Sequence, residues 1–446
     1  MAEVSLKKRV WGWMLFDWAS QPYNTLLITF IFAPYFTSTV VGDSTQGQAI
    51  WGYTVGIAGL IIAILAPILG AWSDTTGPRK PWILLFSVMY VVGSFLLWWA
   101  VPGMQDYLWI LIAFGIGLIG MELATIFTNA YLPELGPHDE VGRLSGNGWA
   151  LGYVGGFITL ILMLALLAEN DKGVTLIGIK PILGLDPAMR EGTRSVGPLT
   201  AIWYAIFMVP FFLWVHDSPR KTNVEKALRT GLRDLGRTLK SLPSRPSLFA
   251  FLIASMFYRD ALNGIYTFGG IYAKGVLGWS IVNIGVFGII GITSGALFAW
   301  LGGKADHRYG PKAVILTSML TLLATVIIIV LVDRQSVLFI PVTPDSSLPD
   351  IVFYFCGFLI GAAGGTIQAA SRTMLVRQAD KSRMTEAFGL YALTGKATAF
   401  IAPLSIGVVT HLTQSQSLGV TPVIVLFALG LILMAWVKKD GDPGRE

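Results

Sequence analysis

Apolar runs of about twenty residues recur from one end of the chain to the other, broken by short polar stretches. A hydrocarbon core about 30 Å thick is crossed by about 20 residues of helix. The runs predict spans over 13–41, 51–73, 82–101, 107–130, 145–168, 199–216, 247–273, 281–301, 313–332, 350–374, 384–410 and 419–437. Each must be helical, because lipid offers no partner for an unpaired backbone amide or carbonyl. The expected fold class is an all-α integral membrane protein with twelve transmembrane helices.

Two polar interruptions are long. The stretch 217–246 places Val224, Leu228, Leu232, Leu235, Leu239 and Leu242 at helical spacing, with Lys226, Arg229, Arg233, Arg237 and Lys240 on the other face. It reads as a basic amphipathic helix on the membrane surface. The stretch 169–198 is mixed in charge and reads as an irregular external loop.

Composition agrees with the pattern. Hydrophobic residues make up 54% and charged residues 13% of 446, with a mean hydropathy of +0.65. A soluble domain carries roughly twice that share of charge. Cys356 is the single cysteine, which excludes a disulfide framework and a cysteine-based metal site. The four histidines fall in loops or at span ends, so neither a buried histidine relay nor a metal site is expected. The net charge of +6 reads as basic cytoplasmic loops rather than as a nucleic-acid surface. Lys7, Lys8 and Arg9 precede the first run, but Met14 to Val41 is too long for the apolar region of a signal peptide. A retained first span is expected.

The distribution of Lys and Arg orients the chain. With the amino terminus inside, cytoplasmic segments hold 24 of the 32, external loops hold six, and Arg259 and Lys396 lie within spans. That asymmetry predicts cytoplasmic termini and an even number of spans. A bacterial inner membrane is the expected location, and a monomer the expected state.

The chain also repeats itself. Gly70-Ala71-Trp72-Ser73-Asp74-Thr75-Thr76-Gly77-Pro78-Arg79-Lys80, after the second span, is echoed by Gly302-Gly303-Lys304-Ala305-Asp306-His307-Arg308-Tyr309-Gly310-Pro311-Lys312, after the eighth. The second copy has one more residue between Asp and Gly. Asp17 precedes Tyr23 by six positions, as Asp260 precedes Tyr266. Two pseudo-symmetric six-helix bundles are expected, over 1–216 and 247–446, joined by the 217–246 linker.

The doubled G-x-x-x-D loop resembles the signature loop of the major facilitator superfamily. That resemblance implies a gating role for Asp74, Arg79, Lys80, Asp306 and Lys312, with the aspartate capping a neighbouring helix and meeting basic loop residues. A narrower set is similar to the vacuole-effluxer branch. It comprises Asp17-Trp18-Ala19-Ser20-Gln21-Pro22-Tyr23-Asn24-Thr25, Gly142-Arg143-Leu144-Ser145-Gly146, Gly152-Tyr153-Val154-Gly155-Gly156, Phe268-Gly269-Gly270-Ile271-Tyr272, Gln368-Ala369-Ala370-Ser371-Arg372 and Phe388-Gly389-Leu390-Tyr391-Ala392-Leu393-Thr394-Gly395-Lys396. Fungal members of that branch export amino acids from vacuoles. The chain departs from the branch at Arg259, where Asn is expected, and at Ala261, where Gly is.

Ionisable residues inside spans are costly and mark pathways or internal pairs. Arg259 and Asp260 lie deep in the seventh span, Lys396 deep in the eleventh, Glu122 past the middle of the fourth, and Asp17 near the start of the first. In the superfamily architecture spans 1, 4, 7 and 10 line the central cavity, with span 11 contributing. Arg259 and Lys396 would attract a carboxylate; Asp17, Glu122 or Asp260 would take a cation or proton. Internal pairs, such as Asp260 with Lys396, are the competing reading. Tyr23, Asn24, Asn263 and Gln368 are uncharged candidates that equally suit interhelical hydrogen bonds. Glycines at 148, 152 and 156, and at 357, 361 and 365, read as close-packing stripes.

No phosphate-binding loop, H-E-x-x-H or G-x-S-x-G occurs, so neither ATP-driven transport nor enzymatic activity is expected, and no cofactor. The expectation is a secondary active transporter working by alternating access, with partners limited to a small-molecule substrate, protons or another coupling ion, and membrane lipid. An amino acid or related zwitterion is the first substrate; a sugar–cation symporter and a lipid or drug exporter are the alternatives.

Overall fold

The computed structural model describes residues 4–76, 78–129, 131, 135, 141–217, 240, 242–343, 345–378, 391, 393–395 and 397–442. Most of the linker 217–246 therefore lies outside the described residues. Among the described residues, ten helices are long and apolar enough to cross a membrane: Ser44–Ala66, Lys80–Trp99, Leu108–Asn129, Ala150–Leu167, Glu191–Trp214, Pro246–Leu277, Ile281–Asp306, Pro311–Val330, Leu348–Gln378 and Gln416–Met434. They fall on predicted spans 2 to 10 and 12.

The first and eleventh predicted spans are interrupted helices. The first runs as α-helix over Leu6–Pro22, loosens into π-helical turns at Tyr23–Phe30 and Phe36–Val40, and regains α-geometry at Phe32–Tyr35. Pro22 and Pro34 have no amide hydrogen to donate, so the regular ladder is lost beside them. The wider turn closes instead, as in the Ile31 amide donating to the Leu26 carbonyl at 3.0 Å. In the eleventh, a turn at residues 398–400 separates the helical residues before it from the apolar helix Ile401–Thr413.

The chain gathers into two compact units. One takes in the chain through Asp43, from Ile64 into the linker, and Ser280–Gly285; the other takes in Ser44–Ala63, from the linker to Trp279, and Val286 onward. In the first unit, Leu6–Pro22 packs on Val141–Leu162 and on Val196–Trp214. The span-5 stripe makes the first contact close: a side chain at Gly155 would meet the Trp18 carbonyl at 2.7 Å, and one at Gly156 would meet Gln21 Cγ at 2.9 Å. A column of packed rings runs through this unit, with Tyr90 stacked on Tyr204 at 3.9 Å and Tyr23 edge-on to Tyr90 at 5.0 Å between centroids.

In the second unit, Pro311–Val330 packs on Leu348–Gln378, and Pro246–Leu277 on Thr421–Met434. The span-10 stripe faces the Ile281–Tyr309 helix, where a side chain at Gly365 would meet the Gly295 carbonyl at 2.5 Å. Both glycine stripes are thus helix-packing seams. Ser44–Ala63 joins this unit through a third seam, in which Gly52 lies against Gly407. Beside it a largely buried amide network ties the same segments, with Gln48 donating to Thr410 Oγ1 at 2.8 Å and Gln416 donating to the Ser44 carbonyl at 3.0 Å.

Between the fifth and sixth spans, residues 169–190 contain only a short helical turn at Ile182–Gly184, and the turn Glu191–Arg194 opens the sixth. A two-stranded hairpin, Ser336–Val337 with Ile340–Pro341, follows the ninth span. The apolar pattern did not predict it, because two-residue strands are too short to show alternation.

Candidate functional site

Arg259 and Asp260 sit on the helix Pro246–Leu277, which starts with proline in its first turn and ends at Gly278 in the left-handed region, φ 68°. Adjacent residues point about 100° apart on a helix, and the structure sends these two to different partners. Arg259 is half-buried. Its Nη1 donates to the Tyr391 carbonyl at 2.7 Å, and its guanidinium carbon lies 4.3 Å from the centre of the Tyr391 ring. Gly395 lies directly against the guanidinium and leaves no room for a Cβ. Among the described residues no carboxylate stands within ion-pair distance of Arg259.

Asp260 is 4% exposed. Its Oδ2 accepts a hydrogen bond from the Ala402 amide at 2.9 Å, while Oδ1 is buried with no partner among the described residues. The carboxylate thus caps the helix Ile401–Thr413, whose own preceding residue, Phe400, supplies no side-chain cap. One turn along, Asn263 donates to the Ala399 carbonyl at 3.4 Å. Two side chains of the seventh span therefore hold the break in the eleventh. Lys396, in that same stretch, lies outside the described residues, and so does any pair it makes with Asp260.

In the other unit, Asp17 is half-buried in the helix Leu6–Pro22 and faces the fifth span. A Cβ at Gly148 would come within 2.5 Å of its Oδ2. Among the described residues it has no hydrogen-bond or ion-pair partner. Tyr23 is fully buried and donates to the Phe114 carbonyl at 2.6 Å, which makes it a fixed strut between spans 1 and 4. Asn24, next to it where the helix widens, lies 4.0 Å from Met121 Sδ. Glu122 is half-buried on the fourth span. Gln368 turns back to its own helix, donating to the Gly364 carbonyl at 3.2 Å.

The loop residues form two clusters of one design. Lys80 Nζ donates to the Phe212 carbonyl at 2.8 Å, near the end of the sixth span, and Lys312 Nζ donates to the Val437 carbonyl at 2.6 Å, past the end of the twelfth. In each repeat the lysine after Gly-Pro ties the loop to the last helix of its own half, where it meets the negative end of the helix dipole. Asp306 is buried, and its Oδ1 has no partner among the described residues. The Asp74 side chain lies outside the described residues.

Asp217 takes the capping role at the first loop. Its Oδ1 accepts from the Arg79 amide at 2.7 Å and from Tyr131 Oη at 2.8 Å, and its Oδ2 accepts from the Lys80 amide at 3.2 Å. Arg79 lies over the Tyr131 ring at 5.2 Å. Sequence reasoning passed over Asp217 because it lies just outside a span. The signal was there: Trp214-Val215-His216-Asp217 is echoed by Trp436-Val437-Lys438-Lys439-Asp440 at the end of the twelfth span.

A second missed cluster lies where the 169–190 loop meets the sixth span. Glu169 is fully buried and accepts from the Thr193 hydroxyl at 2.9 Å and the Thr193 amide at 3.2 Å. Burial pushes its carboxyl above the ordinary range; the Thr193 bonds and the Arg190 charge oppose that. Arg194 holds the same corner, donating to the Trp98 carbonyl at 2.8 Å and lying 4.8 Å over the Trp98 ring.

Comparison with known proteins agrees with this architecture. The family described as "Vacuole effluxer Atg22 like" matches residues 138–442, and the Major Facilitator Superfamily matches residues 3–160. An uncharacterised MFS-type transporter of Bacillus subtilis, YxiO, is 28% identical over 96% of this chain and 94% of its own length. The autophagy-related protein 22 of Coccidioides immitis is 20% identical over 91% of this chain and 75% of its own. A crystal structure of a mutant of the nucleoside transporter NupG superposes with a TM-score of 0.67 at 14% identity, over 97% of this chain and all of that one, a likeness of fold. Interrupted first span, doubled loop clusters and the match across 138–442 lead to one placement: the chain belongs to the Atg22-like vacuole-effluxer family of the major facilitator superfamily and is a multi-pass membrane transporter.

Proposed function

We propose that this transporter moves a small zwitterionic solute, an amino acid or close relative, by proton-coupled alternating access. The observation that carries the proposal is Arg259. It lies thirteen residues into its helix, about 20 Å along at 1.5 Å per residue, and no described carboxylate neutralises it. A guanidinium at that depth is expensive unless a partner arrives, and a planar carboxylate is the partner its fork geometry fits. Asp17, half-buried and without a described partner, is the proton carrier in this reading. The halves 1–216 and 247–446, joined by the linker 217–246, move against each other during the cycle. The Lys and Arg asymmetry supports cytoplasmic termini and a bacterial inner membrane.

The test is counterflow in proteoliposomes with labelled amino acids, sugars and nucleosides. Amino acids are expected to exchange, and Arg259→Ala to abolish exchange while the protein still folds. Exchange of sugars or nucleosides alone would overturn the substrate class. Accumulation unaffected by collapse of the pH gradient would overturn proton coupling.

A further inference from the structure

None of the transport chemistry above uses the amino-terminal end of the first span. Ser5, Lys7, Lys8, Trp11, Leu15 and Trp214 line an open groove there, with a volume of about 430 Å3. Its origin is a glycine. A Cβ at Gly12 would meet the Pro210 carbonyl at 3.0 Å and Trp214 Cβ at 3.4 Å, so the first and sixth spans cross closely at that point. Lys8, Trp11 and Leu15 follow one another at three and four residues, on one face beside the crossing. Trp214 forms the opposite wall.

The chemistry of that face is ordered. Over about 12 Å of helix it runs from two exposed ammonium groups, through Trp11, which is 45% exposed, to the aliphatic Leu15. A phospholipid has the same order: a charged phosphate, an interfacial ester region, an acyl chain. Tryptophan favours the middle zone, and lysine the head-group zone. The backbone adds to the cationic end. Ser5 makes no side-chain cap, so its side chain leaves the first-turn amides of Leu6–Pro22 open beside Lys7 and Lys8 among the described residues.

We propose that this groove binds one anionic phospholipid from the leaflet at the amino-terminal side, its phosphate on Lys7 and Lys8 and a chain along Trp11, Leu15 and Trp214. Two lysines near the surface each favour an anionic over a zwitterionic head group by about fivefold.

The full-length protein in bilayers of mixed composition provides the test. Spin-labelled phosphatidylglycerol and phosphatidylcholine report by electron paramagnetic resonance how much of each is held at the protein. The wild type is expected to hold an excess of phosphatidylglycerol that Lys7→Gln/Lys8→Gln removes and the charge-matched control Lys438→Gln/Lys439→Gln keeps. Trp11→Ala, which leaves the orienting charges in place, is expected to lower the same excess. An excess unchanged in Lys7→Gln/Lys8→Gln, or lowered equally by both double variants, would overturn the site in favour of bulk charge. Loss of the excess on adding inorganic phosphate, but not chloride of equal ionic strength, would also overturn it, by assigning the groove to a small anion.

Discussion

Asp260 of the seventh span and Ala402 of the eleventh are joined by a 2.9 Å hydrogen bond from amide to carboxylate, across the break that divides the eleventh span. The helix beyond the break depends on this carboxylate for its cap. Asp260→Ala is therefore expected to cost about 1–2 kcal/mol, the usual value of a lost cap, and to lower the thermal midpoint in detergent. Asp260→Asn keeps an acceptor and is expected to lose less than half as much. If both variants melt with the wild type, the cap contributes nothing.

Asp217 offers a parallel case at the first loop. It satisfies two backbone amides and one phenol. Hydrogen bonds to a charged group are worth about 1.5–3 kcal/mol when broken. Asp217→Ala is expected at the upper end of that range, because it orphans three donors, and Tyr131→Phe near the lower end. In a double-mutant cycle the two should fall short of additivity by about 1 kcal/mol, as residues in contact do. Full additivity would mean that the Tyr131 bond carries no energy.

The seam between Gly52 and Gly407 sets a steric prediction. A methyl at Gly52 would lie 2.7 Å from Gly407 Cα and from the Pro403 carbonyl, both backbone atoms that cannot step aside. At Gly59 the nearest atom is Phe400 Cβ, at 3.1 Å. Overpacking of the first kind costs about 1–3 kcal/mol. Gly52→Ala is expected to lower the thermal midpoint measurably and Gly59→Ala to do so far less. Equal effects would show that the segments separate without strain.

Arg259 and Tyr391 separate charge from stacking. Lys at 259 keeps the charge but loses the planar face that lies 4.3 Å from the Tyr391 ring. A cation–π contact of this kind is worth about 0.5–2 kcal/mol, so Arg259→Lys is expected to reduce exchange in proteoliposomes by roughly two- to thirtyfold. Tyr391→Phe keeps ring and carbonyl and is expected to exchange at close to the wild-type rate. A Phe variant as impaired as the Lys variant would assign the role to the phenol hydroxyl.

Much of this was legible in the chain, and the reasons differ from residue to residue. Spans were visible because lipid imposes one long apolar period on every crossing helix. The repeat G-P-basic was visible because both copies solve one local problem, tying a loop lysine to the end of a helix in its own half. The stripe at Gly148, Gly152 and Gly156 was visible because close helix approach demands small residues at a fixed spacing. The depth of Arg259 and Asp260 was visible, and so was their divergence, since neighbours on a helix point about 100° apart; the partner each meets was not, since it depends on where the eleventh span breaks. Pro403 marks that break as Pro22 and Pro34 mark the first: it has no amide hydrogen to offer the Ala399 carbonyl, which Asn263 bonds instead. Asp217 and Glu169 lay just beyond span ends, where a charge is ordinarily solvated; only folding brings amides and hydroxyls onto them.

Glu169 allows a prediction in which the sign matters. Its carboxyl is fully buried and held above the ordinary range chiefly by burial. A carboxyl whose folded value is raised binds its proton more tightly folded than unfolded. The associated stability is full below the unfolded value of about 4.3 and is lost as pH rises through the folded value. Above that, the ionised carboxylate destabilises the fold by a constant amount. Glu169→Gln keeps an acceptor for the Thr193 hydroxyl and amide but carries no charge to bury. At neutral pH the Gln variant is therefore expected to melt at or above the wild type, and near pH 4 the difference is expected to vanish. Thermal midpoints of both proteins across pH 4 to 8 decide it. A Gln variant less stable at neutral pH, with the gap closing toward pH 4, would mean that Glu169 is held as an anion by Arg190 and the Thr193 donors, with its pKa below the ordinary value.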